Sequence, residues 1–288
     1  TEEGIHCSGS ATLEMERNHI ENNHRGVVIS GNTQLKLCED LLETNEVCGL
    51  EAIDESKIIA TGITVRQNGC RGIDLSDRVQ FKLLYSIVQS NQDGIVLASR
   101  GRIILKCNKI GHNSDRAVRI MAGDVLLESS EVHDNGEGIF CGQEARIKCV
   151  SNQILRQEGV GINCFGSVEL ETQDNKIVSC KIGVQCGGQS RIRMSKDFLQ
   201  DIRSQGIKIH GQCFFRASAV TVSGTQDGDG ISIEDEAVSQ IVQSNIERNR
   251  SGISIQGGKE TLIEKTRIEN NEDSGVVIHR GSPRLRDN

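Results

Sequence analysis

Tryptophan is absent from the 288 residues, tyrosine occurs once, as Tyr85, and aromatic residues make up 2% of the chain. Stacking platforms for sugar rings are therefore scarce. Proline also occurs once, as Pro283, and no linker or low-complexity stretch divides the chain. No apolar run approaches 18 residues, so no helix is long and apolar enough to span a membrane, and no signal peptide is recognisable. Helical periodicity is missing too: no window carries apolar residues at i, i+3, i+4 and i+7 over ten residues or more. Nor is there a basic excess. Lys plus Arg number 33 against 40 Asp plus Glu, a net charge of −7, which argues against a nucleic-acid partner.

What the chain has is one short motif, repeated. Gly138-Ile139-Phe140-Cys141 has twelve near-copies, among them Gly26-Val27-Val28-Ile29, Gly72-Ile73-Asp74-Leu75 and Gly252-Ile253-Ser254-Ile255. One copy, at Ala117-Val118-Arg119-Ile120, replaces the Gly by Ala. The twelve steps from Gly4 to Gly275 are each 21 to 24 residues long, and a period of 20–50 residues marks a repeat architecture. Each repeat holds three short alternating segments. In the first they are Ile5-His6-Cys7, Ala11-Thr12-Leu13-Glu14-Met15 and Asn18-His19-Ile20. Alternation of apolar and polar residues is the period of a half-buried strand. Three strands and three turns per repeat, without hairpin signals, predict an all-β fold. It is a right-handed single-stranded parallel β-helix of about 13 coils of 21–24 residues. Residues 1–288 read as a single solenoid domain. The leading Ile or Val of each repeat should be buried and the third residue exposed.

The turns are regular as well. Asn23, Asn45, Asn68, Asn91, Asn113 and Asn135 each stand shortly before the next leading Gly or Ala, and Asn249 and Asn271 resume the series. Asn tolerates the left-handed conformation and can hydrogen-bond to its counterpart one coil away. Such placement reads as backbone geometry, not as binding loops.

Cysteines number eleven. Cys7, Cys141, Cys149, Cys164, Cys186 and Cys213 fall on inward strand positions. Cys141, Cys164 and Cys186 share one position in three successive coils, where they should stack as small apolar fillers. No His joins them and no C-x-x-C spacing occurs, so no metal site or cofactor is expected. That many thiols suit a reducing compartment, the cytoplasm or nucleus. The chain begins and ends inside coils, and solenoids carry capping elements, so a longer protein is expected around it.

The stretch from Asn18 to Ile29, written N-x-I-x-x-N-x-x-G-V-x-I, resembles the PbH1/CASH β-helix repeats of the pectin-lyase-like superfamily. The resemblance covers the whole chain. It implies the fold, shared by polysaccharide lyases, epimerases and hydrolases and by intracellular eukaryotic non-enzymes, among them an F-box substrate receptor. Function differs within such a fold, so it must be read from residues. Lyases of this kind hold Ca²⁺ on clustered carboxylates, yet only Glu51 and Asp74 are adjacent acids on the outward face of the first strands. Two carboxylates are too few for calcium. Arg146-Ile147-Lys148 and His210-Gly211 match polygalacturonase motifs in fragments and in the wrong order. Asp227-Gly228-Asp229-Gly230 reads as a glycine-rich turn, and His133-Asp134 lacks a nucleophile beside it. The repeats are also too short to raise walls around a cleft. No catalytic residue is assigned.

The second strands present charge instead. Alternation places Arg146, Lys148, Arg191, Arg193, Phe214 and Arg216 outward, with Glu169 and Glu171 between them. Cross-coil ion pairs are one reading of this row; a face for an acidic or phosphorylated protein segment is the other. Val96, Ile104, Leu126 and Phe140 are a further outward apolar set. The expectation is a non-catalytic scaffold for protein–protein interaction inside the cell. A carbohydrate-active enzyme with a polysaccharide substrate is the alternative.

Overall fold

The computed structural model describes residues 2–288, and these contain strands and turns without a helix. Each repeat lays down three strands, in the second repeat Arg25–Ile29, Gln34–Cys38 and Leu41–Glu43. Their period of two sends Val27, Ile29, Leu35, Leu37 and Leu42 inward, where all are buried. Each strand pairs in parallel with the strand one repeat later. Val27 stands opposite Leu50, Leu35 opposite Ile58 and Leu42 opposite Val65. The strands therefore sort by their place in the repeat into three parallel sheets, here called first, second and third.

The chain forms two compact units, Thr1–Phe140 and Cys141–Asn288. In the former, the first sheet runs from Glu3–Cys7 to Arg116–Ile120, the second from Thr12–Glu16 to Asp124–Glu128 and the third from His19–Glu21 to Glu131–His133. In the latter, the first sheet runs from Val160–Gly166 to Ser274–Arg280, the second from Arg146–Val150 to Arg284–Arg286 and the third from Gln153–Leu155 to Arg267–Glu269. Inward residues stack like on like. Val27, Leu50, Ile73, Ile95 and Val118 form one fully buried column, and each such side chain contributes about 1.5–3 kcal/mol. The stacking leaves little room at the leading position, where Gly stands in every repeat but that of Ala117. A Cβ on Gly26 would lie 2.4 Å from the carbonyl oxygen of Gly49.

The leading apolar residues are buried from Val27 to Ile253, as the pattern predicts. The third residues are not exposed. Val28, Val96, Ser232 and Ser254 are buried, eight more are half-buried, and only His6 is open to solvent. Long side chains of the same face lie across these positions. Arg25 reaches Glu51 at 2.9 Å, and the Arg116 guanidinium covers the Phe140 ring at 4.9 Å.

The asparagines form the expected ladder. Asn23, Asn45, Asn68, Asn91 and Asn113 each donate from Nδ2 to the Oδ1 of the asparagine one coil on, over 2.9–3.2 Å. The same oxygens accept the backbone N–H of the preceding asparagine. The left-handed conformation, however, belongs to the residue before each of them: Asn22, Thr44, Gln67, Ser90, His112 and Asp134, with φ of 50–57°. A ladder asparagine must keep its side chain turned into the coil, so the reversal of the chain falls one residue earlier.

Removing one interior rung should be costly. Asn91→Ala deprives Asn68 of its acceptor and the Gln89 carbonyl of its donor, a loss of about 3 kcal/mol at 1–3 kcal/mol per unsatisfied buried group. Asn23→Ala, at the half-exposed end of the ladder, should cost under about 1 kcal/mol. Urea denaturation followed by circular dichroism measures both; equal losses would show that burial of the rung is irrelevant.

Candidate protein-docking face

Four second-sheet strands, Arg146–Val150, Glu169–Gln173, Arg191–Ser195 and Phe214–Ser218, lie side by side. Ile147, Leu170, Ile192 and Phe215 point inward and are buried, which turns the residues on either side of each outward. The register then makes two rows across the strands. One is Arg146, Glu169, Arg191 and Phe214; the other is Lys148, Glu171, Arg193 and Arg216. All six residues singled out from the sequence are exposed and share this face.

Ion pairing within the face is partial. Arg146 Nε lies 3.5 Å from Glu169 Oε2, and Arg193 donates to Glu171 Oε1 at 3.1 Å. Both pairs are more than half exposed, so each contributes about 0–1 kcal/mol. Five cations face two carboxylates. Lys148, Arg191 and Arg216 have no carboxylate partner among the described residues; Arg191 instead stacks its guanidinium 5.6 Å from the centre of the Phe214 ring. Lys148, Arg193 and Arg216 rim a shallow hollow with Ser195 and Ser218 at its side. A second hollow joins Arg191, Phe214 and Arg216 to Val238 and Gln240. The last two were missed in the sequence because neither is charged.

The apolar set does not come together. Ile104 and Leu126 are half-buried neighbours on the second sheet. Val96 and Phe140 lie on the first sheet, Val96 buried and Phe140 beneath Arg116.

The adjacent acids are neutralised in place. Glu51 and Asp74 stand opposite one another, but Arg25 pairs with Glu51 and Arg71 with Asp74. Cys48 lies beside them; burial, reinforced by the Glu51 and Asp74 charges, pushes its thiol up to about 12. Asp229 is half-buried, and burial raises its carboxyl although Ser251 and Ser254 hydrogen-bond to it. Glu234 is held by Lys208 at 3.3 Å and by Ser232. Arg146-Ile147-Lys148 sits on the second sheet, whereas His210 follows a first-sheet strand.

The cysteine stack forms as expected. Cys164 and Cys186 are in register, and the Cys141 thiol hydrogen-bonds to Cys164. All three are buried. For Cys141 the Cys164 hydrogen bond and burial raise the thiol; for Cys149 and Cys186 burial leads. Thiols held this way are inert. Cys7 is only half-buried, and Cys213 is buried in the turn before its strand.

A family model described as "Right handed beta helix region" matches residues 1–92, 78–226 and 213–288. No curated protein matches the chain.

The thiols give a direct check. Under native conditions an alkylating reagent should label Cys70 first, the one exposed cysteine. After denaturation without reductant, all eleven should react. A count of nine or fewer would reveal a disulfide and remove the support for a reducing compartment.

Proposed function

Since the chain belongs to the right-handed β-helix family, we propose that it is a non-catalytic scaffold that docks an acidic segment of a partner protein. The observation that carries this reading is the face of five cations and two carboxylates around Phe214. An extended acidic segment fits it by spacing. Residues i and i+2 of a strand lie about 6.6 Å apart, and neighbouring strands about 4.8 Å. Carboxylates at alternate positions of an extended segment thus meet Arg191 and Arg193, or Lys148 and Arg146. The internal ion pairs are weak, so their exchange for an external acid costs little. Phe214 adds an apolar contact that charge alone lacks. The eleven free thiols support a cytoplasmic or nuclear setting, and the scaffold would form one part of a longer protein.

The enzyme alternative rests on the adjacent pair Glu51 and Asp74. Against it stands the arginine bound to each, which leaves neither a free base nor an open cation site.

Two measurements separate the readings. Fluorescence anisotropy with an extended Glu/Asp-rich peptide should show saturable binding that weakens with salt. Arg191→Glu with Arg193→Glu should weaken it at least about tenfold while the circular dichroism spectrum is unchanged. Binding that survives the reversal at low salt removes this face. Pectate and alginate, with and without Ca²⁺, should not be turned over. Turnover abolished by Glu51→Gln or Asp74→Asn would put the carbohydrate reading first.

A further inference from the structure

The third-sheet side of residues 1–140 carries a cluster that the docking face does not use. Strands Lys109–Gly111 and Glu131–His133 pair in parallel, with Gly111 opposite His133. The next residue of each, His112 and Asp134, is left-handed, with φ of 56° and 54°. These two therefore occupy the same turn one coil apart. Gly111 decides where the His133 ring goes. A Cβ at Gly111 would lie 2.5 Å from His133 Cε1, so the ring occupies space that any other residue would fill. There it meets His112 edge to face, with centroids 5.1 Å apart. His133 Nδ1 lies 2.9 Å from Asp134 Oδ2. One ligand atom from each of the three residues falls within 4.8 Å of the other two.

We propose that His112, His133 and Asp134 bind one divalent first-row transition metal ion, of the zinc or nickel class. Two imidazole nitrogens and a carboxylate oxygen are the protein ligands, and solvent completes the shell. Imidazole selects such ions over magnesium and calcium, which take oxygen donors. Ligand atoms around tetrahedral zinc, with bonds of about 2.0–2.1 Å, stand about 3.3 Å apart. The three groups must close from their present spacing. The exposed ring of His112 is the one free to swing. His133 is 18% exposed and sits on Gly111. Its contact with Asp134 holds imidazole and carboxylate together before the ion arrives.

A second group is His19, Glu21 and Glu43. It offers one imidazole and two carboxylates, where the first offers two imidazoles, and imidazole is the donor that selects zinc or nickel. It serves as the internal control.

The test is calorimetric titration of the full chain with NiCl₂ and with ZnCl₂, in a Cys70→Ser background that removes the exposed thiol. One ion per chain should bind. His112→Ala, an exposed change, should weaken binding at least about tenfold, and His19→Ala should leave it unaltered. Zinc X-ray absorption should show two imidazoles and no sulfur. The proposal is overturned if no saturation occurs below about 1 mM, if His112→Ala binds like the parent, if His19→Ala abolishes binding, or if sulfur appears in the shell.

Discussion

The hydrogen bond from one corner side chain to its counterpart one coil away is the constraint on which the rest depends. Parallel backbone ladders alone would tolerate a slip of register, and a slip of one residue would turn every inward side chain outward. A corner residue that must meet its own kind forbids the slip. The strand boundaries record this. The turn between second and third strands is two residues in every repeat, from Arg17-Asn18 to Lys265-Thr266. The turn after the third strand varies from three to five, always with the ladder residue second, so its added residues fall after the rung. It absorbs most of the spread in repeat length, and the longest repeat inserts its extra residue there, around Gly224–Gly228. The shortest repeat, from Ala117 to Gly138, loses one residue between its first and second strands instead. Coil length is free only where it does not disturb the corners.

The corner also explains a run of residues that asparagine does not occupy. Asn23, Asn45, Asn68, Asn91 and Asn135 each donate to the carbonyl two residues before, as Asn45 does to Glu43 and Asn68 to Arg66. Gln157 makes the same bond to Leu155 at 2.8 Å, and Cys180 reaches Val178 at 3.6 Å. Ile202 makes none and fills the volume instead. Buried apolar volume and a satisfied polar rung are thus two solutions for one site, and residues 141–288 use both. The left-handed residue before each corner costs about 1–2 kcal/mol when it is not glycine. Thr44, Gln67 and Ser90 carry that cost, and the satisfied rung beside each offsets it.

Much of this was legible in the sequence because a repeat averages out local ambiguity. A single alternating segment such as Ile73-Asp74-Leu75 says little, but thirteen copies at one spacing leave only stacked coils. The inward column, the asparagine ladder and the exposed basic rows followed from that period. What failed was exposure on the first sheet. Alternation states which way Val96 points, not that neighbouring long side chains will lie across it. The backbone of the corner was misplaced by one residue for a related reason: pattern shows that asparagine recurs, not which residue reverses the chain. The grouping of His112 with His133 was hidden because Gly111, the residue that permits it, carries no chemistry of its own.

A solenoid of short coils has no loops to build a cavity, so recognition must be written on rows of outward side chains. Those rows differ in how far they satisfy themselves. On the first sheet of residues 1–140, Glu51 and Asp74 each hold a cation. An incoming cation must break one of these pairs to reach either acid. On the second sheet of residues 141–288 the pairing stops short and leaves charge unspent on Lys148, Arg191 and Arg216. Nothing in the fold requires that surplus. The inward partners Ile147, Ile192 and Phe215 hold the strands, and outward acids would hold them as well. A charge excess with no structural cause, on a face whose geometry is otherwise dictated residue by residue, is what the docking proposal rests on.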